Sequence, residues 1–220
     1  MTASKPYARP VCFSRPAGRR RIEVFSPKLG RRLSLGGYDA YRTWLVIEAN
    51  PLILSFCERP TYVDGPRSEV VDFWVQLSGA LQGEFWFVES ATREVASPHN
   101  AGSTSPPRLH DLPVRNIARA DLIAWDIPIS NWARIAPYLV SHRSYRDALL
   151  ERSIEEFLSL PASVDAVVKS FAQRDATTVQ AALFSLLAAG RVISPDIARA
   201  PLSGATRFQR PGDWAQKPRS

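Results

Sequence analysis

Glu69-Val70-Val71-Asp72-Phe73-Trp74-Val75-Gln76-Leu77 and Glu84-Phe85-Trp86-Phe87-Val88-Glu89-Ser90-Ala91 are two runs rich in β-branched and aromatic residues. Such side chains suit a pleated, half-buried surface. Ser78-Gly79 and Gln82-Gly83 lie between the runs and supply turn chemistry. The pattern predicts an antiparallel hairpin over 69–77 and 84–91 that carries one acid in each arm, Asp72 and Glu89.

Upstream, Tyr41, Trp44, Leu45 and Ile47 recur at helical spacing and Asn50-Pro51 supplies a stop, so residues 38–49 read as a core helix. Residues 52–56 and 61–63 read as short strands broken by Arg59-Pro60. Downstream, Pro98, Gly102, Pro106, Pro107 and Pro113 make 94–113 a long loop. Residues 114–117 then read as a strand, 121–125 as a short helix, and 129–145 as a helix carrying Trp132, Ile135, Leu139 and Val140, which together complete an α/β layer.

Residues 146–160 form an amphipathic pattern, and Pro161 marks a boundary. Beyond it, 164–171 and 176–189 read as two compact helices, the second closed by Gly190 as a C-cap. Residues 191–194 and 206–208 read as short strands around a proline-containing excursion, as in a winged helix. The expected organisation is a basic arm over 1–33, an α/β domain over 34–146, a winged-helix domain over 147–208 and a frayed tail over 209–220.

With 220 residues, 45% hydrophobic and 22% charged, the composition is that of a globular chain and excludes intrinsic disorder throughout. The longest nearly uncharged stretch, 176–190, is too short to span a bilayer, and residues 1–21 lack the apolar core of a signal peptide, so a cytosolic protein with no membrane partner is expected. Cys12 and Cys57 do not make a disulfide framework, and His99, His110 and His142 have no metal-ligand spacing. The formal charge of +7 is uneven: residues 1–33 hold Lys5, Arg9, Arg15, Arg19, Arg20, Arg21, Lys28, Arg31 and Arg32 against Glu23 alone. A concentration of cations ahead of a nearly neutral body suggests contact with a phosphate backbone, for which Lys5, Arg19, Arg20, Arg21, Lys28, Arg31 and Arg32 are the candidates.

A helix followed by a strand pair with an acid in each arm is also the skeleton of a metal-dependent phosphodiesterase. Two carboxylates would hold Mg²⁺, which activates a water and stabilises charge developing on phosphate, while a nearby lysine orients the water. Read together, Ser26-Pro27-Lys28-Leu29-Gly30-Arg31, Ile47-Glu48-Ala49-Asn50-Pro51, Phe56-Cys57-Glu58-Arg59-Pro60, Val71-Asp72-Phe73-Trp74-Val75 and Trp86-Phe87-Val88-Glu89 resemble, in order and spacing, the TnsA family of transposase endonuclease subunits. The likeness covers roughly residues 20–92.

The resemblance implies a restriction-endonuclease-like mixed-sheet core with a C-terminal winged helix, binding to transposon-end DNA, and partnership with a TnsB-type recombinase and a TnsC-type ATPase. It also implies a Mg²⁺ site in which Asp72 and Glu89 are catalytic ligands. The family's helix glutamate falls on Ala40 and its strand lysine on Ala91, and Val71 stands where the family has proline. Asp39 and Glu48 on the helix and Arg93 on the strand are the nearest substitutes. The expected function is therefore a TnsA-like subunit with reduced or lost cleavage. Alternatives are a fully active endonuclease cutting the 5′ strands and a winged-helix DNA-binding regulator. The second helix of the winged segment, 176–190, holds neither Lys nor Arg, which favours docking to protein over reading DNA.

Overall fold

The structure, a computed structural model, describes residues 7–12, 20–65, 68–89 and 108–213. It is a mixed α/β protein in which a five-stranded mixed sheet is followed by a helical region. The chain divides into two compact units near 124/125, and residues 49–51 go with the second.

The first unit opens with an antiparallel hairpin of β1 (Arg21–Ser26) and β2 (Arg31–Gly36). Helix α1 (Tyr38–Ala49) follows, and the strands β3 (Ile53–Glu58), β4 (Phe73–Leu77), β5 (Glu84–Val88), β6 (Arg108–Leu109) and β7 (Leu112–Ile117) build the sheet. The sheet order is β3-β4-β5-β7-β6; only the β5–β7 pair is parallel, the other neighbours being antiparallel. A short helix α2 (Arg119–Ala124) closes the unit.

Alternation along the strands gives the sheet two apolar faces. Cys57, Trp74, Phe85, Phe87 and Val114 form one cluster, against which Tyr7, Val63, Leu109 and Leu112 pack. Phe56, Phe73, Val75, Trp86 and Val88 are buried outside that cluster, as are Trp44, Leu45 and Ile47 of α1 and Leu33 and Leu35 of β2. Gly83 is required by this packing, because a Cβ there would lie 2.4 Å from the indole of Trp74.

The second unit comprises α3 (Asp126–His142), α4 (Ala148–Phe157), β8 (Ala162–Ser163), α5 (Val164–Ser170), α6 (Ala176–Ala188) and β9 (Arg207–Phe208). Strand β8 pairs antiparallel with β9, and an Ile193–Gln209 bridge lies beyond it. Asp147, Ser163 and Asp175 cap the first turns of α4, α5 and α6 by accepting backbone N–H bonds. Gly190, at φ 69°, ends α6, with Gly190 N donating to Leu187 O and Arg191 N to Leu186 O. These two bonds are the Schellman arrangement, in which glycine alone avoids a Cβ penalty. The excursion before β9 is held by Asn131 of α3, 1% exposed, whose Nδ2 donates to Ile197 O and Ala200 O at 2.8 Å while its Oδ1 accepts from Leu202 N at 2.7 Å.

Several expectations change. Residues 21–33 are not a free basic arm: Ile22, Val24, Leu33 and Leu35 alternate with polar residues and fold the segment into the β1–β2 hairpin, with Gly30 at φ 67° in the turn. Helix α3, assigned from sequence to the α/β layer, groups with the second unit because it packs on α6, which moves the boundary from 146/147 to near 124/125. The tail begins later than 209, since Gln209 pairs with Ile193 and Arg210 N donates to Leu158 O. Most of the expected loop over 94–113 lies outside the described residues, as do residues 214–220. Replacing Asn131 by Ala removes three hydrogen bonds, two of them fully buried, and is expected to lower unfolding free energy by about 2–4 kcal/mol, measured by urea denaturation.

Candidate functional site

The register sets which residues meet at each end of the sheet. Glu58 is opposite Phe73, Phe73 opposite Trp86, and Val88 beside Ile117. The end of β3, the approach to β4, the end of β5 and the end of β7 therefore coincide, and Asp72 and Glu89 come to the same end. Asp72 Oδ2 accepts from Val88 N at 2.8 Å, and Asp72 O accepts from Arg59 N, also at 2.8 Å. Glu89 Oε2 accepts from Arg119 N at 3.0 Å at the start of α2, and Glu89 N donates to Ile117 O. Both acids are half-buried, and each binds main-chain N–H of the sheet or of the helix that follows it.

The helix acids have different surroundings. Asp39 lies in the first turn of α1, next to buried Ala40. Glu48, 3% exposed, accepts from Ser26 Oγ, from Trp44 Nε1 at 3.1 Å and from Lys28 N at 3.2 Å. Burial pushes its pKa up, against the opposing effects of those hydrogen bonds and of the Lys28 charge. Among the described residues, no three of His, Cys, Asp and Glu gather so as to hold a metal ion. Asp39 and Glu48 thus do not join Asp72 and Glu89 in a ligand set. Arg93 and Ala91 lie outside the described residues.

The candidate cations separate into two groups. Arg20, Arg21 and Arg32 are exposed, Arg21 pairing with Glu23 at 2.5 Å and donating to Ser34 Oγ at 3.0 Å. Lys28 and Arg31 serve the fold. Lys28 Nζ donates to Ile47 O at 3.0 Å, and burial pulls its pKa down to about 8 despite the nearby Glu48. Arg31 grips Glu58, 2% exposed, through two bonds of 2.7 and 2.6 Å, a bidentate geometry that only a guanidinium supplies. Lys5 and Arg19 lie outside the described residues. Arg59, between Glu58 and Pro60, has no role in the motif reading.

No protein-family model matches the chain, and no curated protein matches it. Among the described residues, no helix is long and apolar enough to cross a membrane.

Lys28 gives a pH signature. Its folded pKa of about 8 lies below the ordinary 10.5, so its contribution to stability is fully present above pH 10.5 and is lost as pH falls through 8. Stability attributable to Lys28 therefore rises with pH between those values. A Lys28→Met variant is expected to lose that component, seen as a flatter stability-versus-pH profile than the wild type's when both proteins are unfolded by denaturant across the window.

Proposed function

We propose that this chain is a TnsA-like subunit of a heteromeric DNA transposase, which binds transposon-end DNA and partner transposition proteins and has reduced or lost Mg²⁺-dependent cleavage. The observation that carries the reading is the meeting of Asp72 and Glu89 at one end of a mixed sheet preceded by α1. That arrangement is in keeping with a restriction-endonuclease-like core. The bonding of both carboxylates to main-chain N–H takes up oxygens that Mg²⁺ would need, and supports loss of cleavage. The order α4, β8, α5, α6, a bridge at Ile193, an excursion and β9 supports a winged helix.

In such modules the second helix of the pair usually enters the DNA groove. Here that helix is α6, which has no cation and buries Val179, Ala181, Ala182, Leu183, Phe184 and Leu186 while packing against α3, α4 and α5. This argues against a winged-helix regulator reading DNA through α6. It leaves the module to dock a protein, for which a TnsC-like ATPase is the partner the resemblance implies. DNA contact then falls to Arg20, Arg21 and Arg32 and to the basic residues that precede them in the sequence.

A fully active endonuclease is the second reading, favoured by the convergence of the two acids. The test uses the full chain with the TnsB-like recombinase, the TnsC-like ATPase and DNA bearing the element ends. DNA is expected to be bound with little or no 5′-strand nicking, and Asp72→Ala is expected to leave the products unchanged. Mg²⁺-dependent nicking abolished by Asp72→Ala would establish the enzyme instead. Simultaneous Arg20→Gln, Arg21→Gln and Arg32→Gln is expected to weaken DNA binding and to reduce the slope of log affinity against log salt by about two to three. Binding insensitive to these changes sinks the assignment of the hairpin cations.

A further inference from the structure

Helices α3 and α6 pack together, and each contributes two side chains one turn apart to a shared cavity: Arg134 and Tyr138 from α3, Gln180 and Phe184 from α6. The start of α5 and the excursion before β9 close the remaining sides, and the volume enclosed is about 330 Å³. Val164, Phe184 and Leu202, all buried, form an apolar wall, with the Tyr138 ring edge-on to Phe184 at 5.2 Å. Small-molecule sites span about 300–1,000 Å³, so this one suits a small ligand.

The fold uses little of the polar chemistry in the cavity. Arg134 donates through Nη1 to Leu202 O, which leaves its other N–H groups for a ligand. Asp165 lies in the first turn of α5, yet the cap there is Ser163, whose Oγ accepts from Ala166 N at 3.1 Å. The Asp165 carboxylate rests against Gly204, where a Cβ would come within 2.2 Å of it. Among the described residues, the Asp165 carboxylate, the Gln180 carboxamide and the Tyr138 hydroxyl have no hydrogen-bond partner. Both charges are also held in place. Leu202 is pinned to α3 through Asn131 as well as Arg134, and Asp165 N donates to Gly204 O at 2.9 Å. The anchors Leu202 and Gly204 are two residues apart in the chain, at most about 7 Å, yet Arg134 and Asp165 do not pair with one another.

We propose that this cavity binds a free α-amino acid with an apolar side chain. Such a ligand carries an ammonium and a carboxylate on one carbon, and so bridges a guanidinium and a carboxylate that do not reach each other. Arg134 takes the ligand carboxylate, Asp165 takes the ammonium, Gln180 and Tyr138 add hydrogen bonds, and the apolar wall covers the side chain. A phosphate is disfavoured, because it would meet like charge at Asp165. The inference is independent of the transposase reading and needs neither DNA nor a partner protein.

The full chain is titrated by calorimetry with leucine, methionine, phenylalanine and tryptophan at millimolar concentration, and melted in the presence of each. At least one is expected to bind and to raise the melting temperature. Its N-acetyl and C-amide derivatives each lack one charge and are expected to bind at least about tenfold more weakly. Asp165→Asn, at an exposed position without a side-chain bond to the protein, is expected to fold as the wild type does and to bind the amino acid about tenfold more weakly. That variant is also expected to distinguish the free amine from the N-acetyl form no longer, which ties the ammonium to Asp165. Absence of binding by all four amino acids overturns the proposal. So does binding that N-acetylation and Asp165→Asn leave unchanged, which marks apolar adsorption only.

Discussion

A carboxylate buried at a strand end must be met by a cation, and Glu58 at the end of β3 is met by Arg31 of β2. Leaving such a group alone in the interior would cost several kcal/mol, roughly 3–5 by analogy with broken buried pairs, discounted here for the partial exposure of Arg31. The pairing turns a segment that reads as a loose basic arm into a hairpin fixed to the sheet. A second attachment reinforces it at the turn, where Ser26, Lys28 and Glu48 join β1 to the last turn of α1. With the hairpin fixed, Arg20, Arg21 and Arg32 occupy exposed positions on it, Arg21 bound to Glu23 and Ser34.

This division could not be read from charge alone. A run of nine cations against one acid is dominated by its net charge, yet the apolar residues Ile22, Val24, Leu33 and Leu35 alternate within it and flank Pro27 and Gly30. That alternation is the strand signal, and the charge masked it. The burial of Glu58 and Glu48 is likewise invisible locally, because Glu58 is met by Arg31 and Glu48, besides Trp44 one turn away, by Ser26 and Lys28, all twenty or more positions distant.

Other parts were legible because their determinants are local. Helix α1 begins and ends where its periodicity and Asn50-Pro51 indicate, and β4 and β5 pair across the predicted turn. Helix α6 ends at Gly190 through bonds that span only a few residues. The membership of α3 was not legible, since an amphipathic helix reveals that it has a buried face and not what covers it. Tyr138 against Phe184 and Asn131 against the excursion before β9 decide the matter, and these contacts join residues far apart in sequence.

The same distinction bears on the two acids. Their arrival at one end of the sheet was anticipated, but their bonding partners were not. Asp72 binds the amide of Val88 and Glu89 that of Arg119, so each satisfies a main-chain donor in the half-buried end of the sheet or at the first turn of α2. Leaving the part-buried Val88 amide orphaned would cost about 1–3 kcal/mol, and an acid at the exposed start of α2 adds about 0.3–1 kcal/mol, so each acid has a structural role. Asp72 and Glu89 therefore carry less weight as signs of cleavage than a catalytic motif suggests.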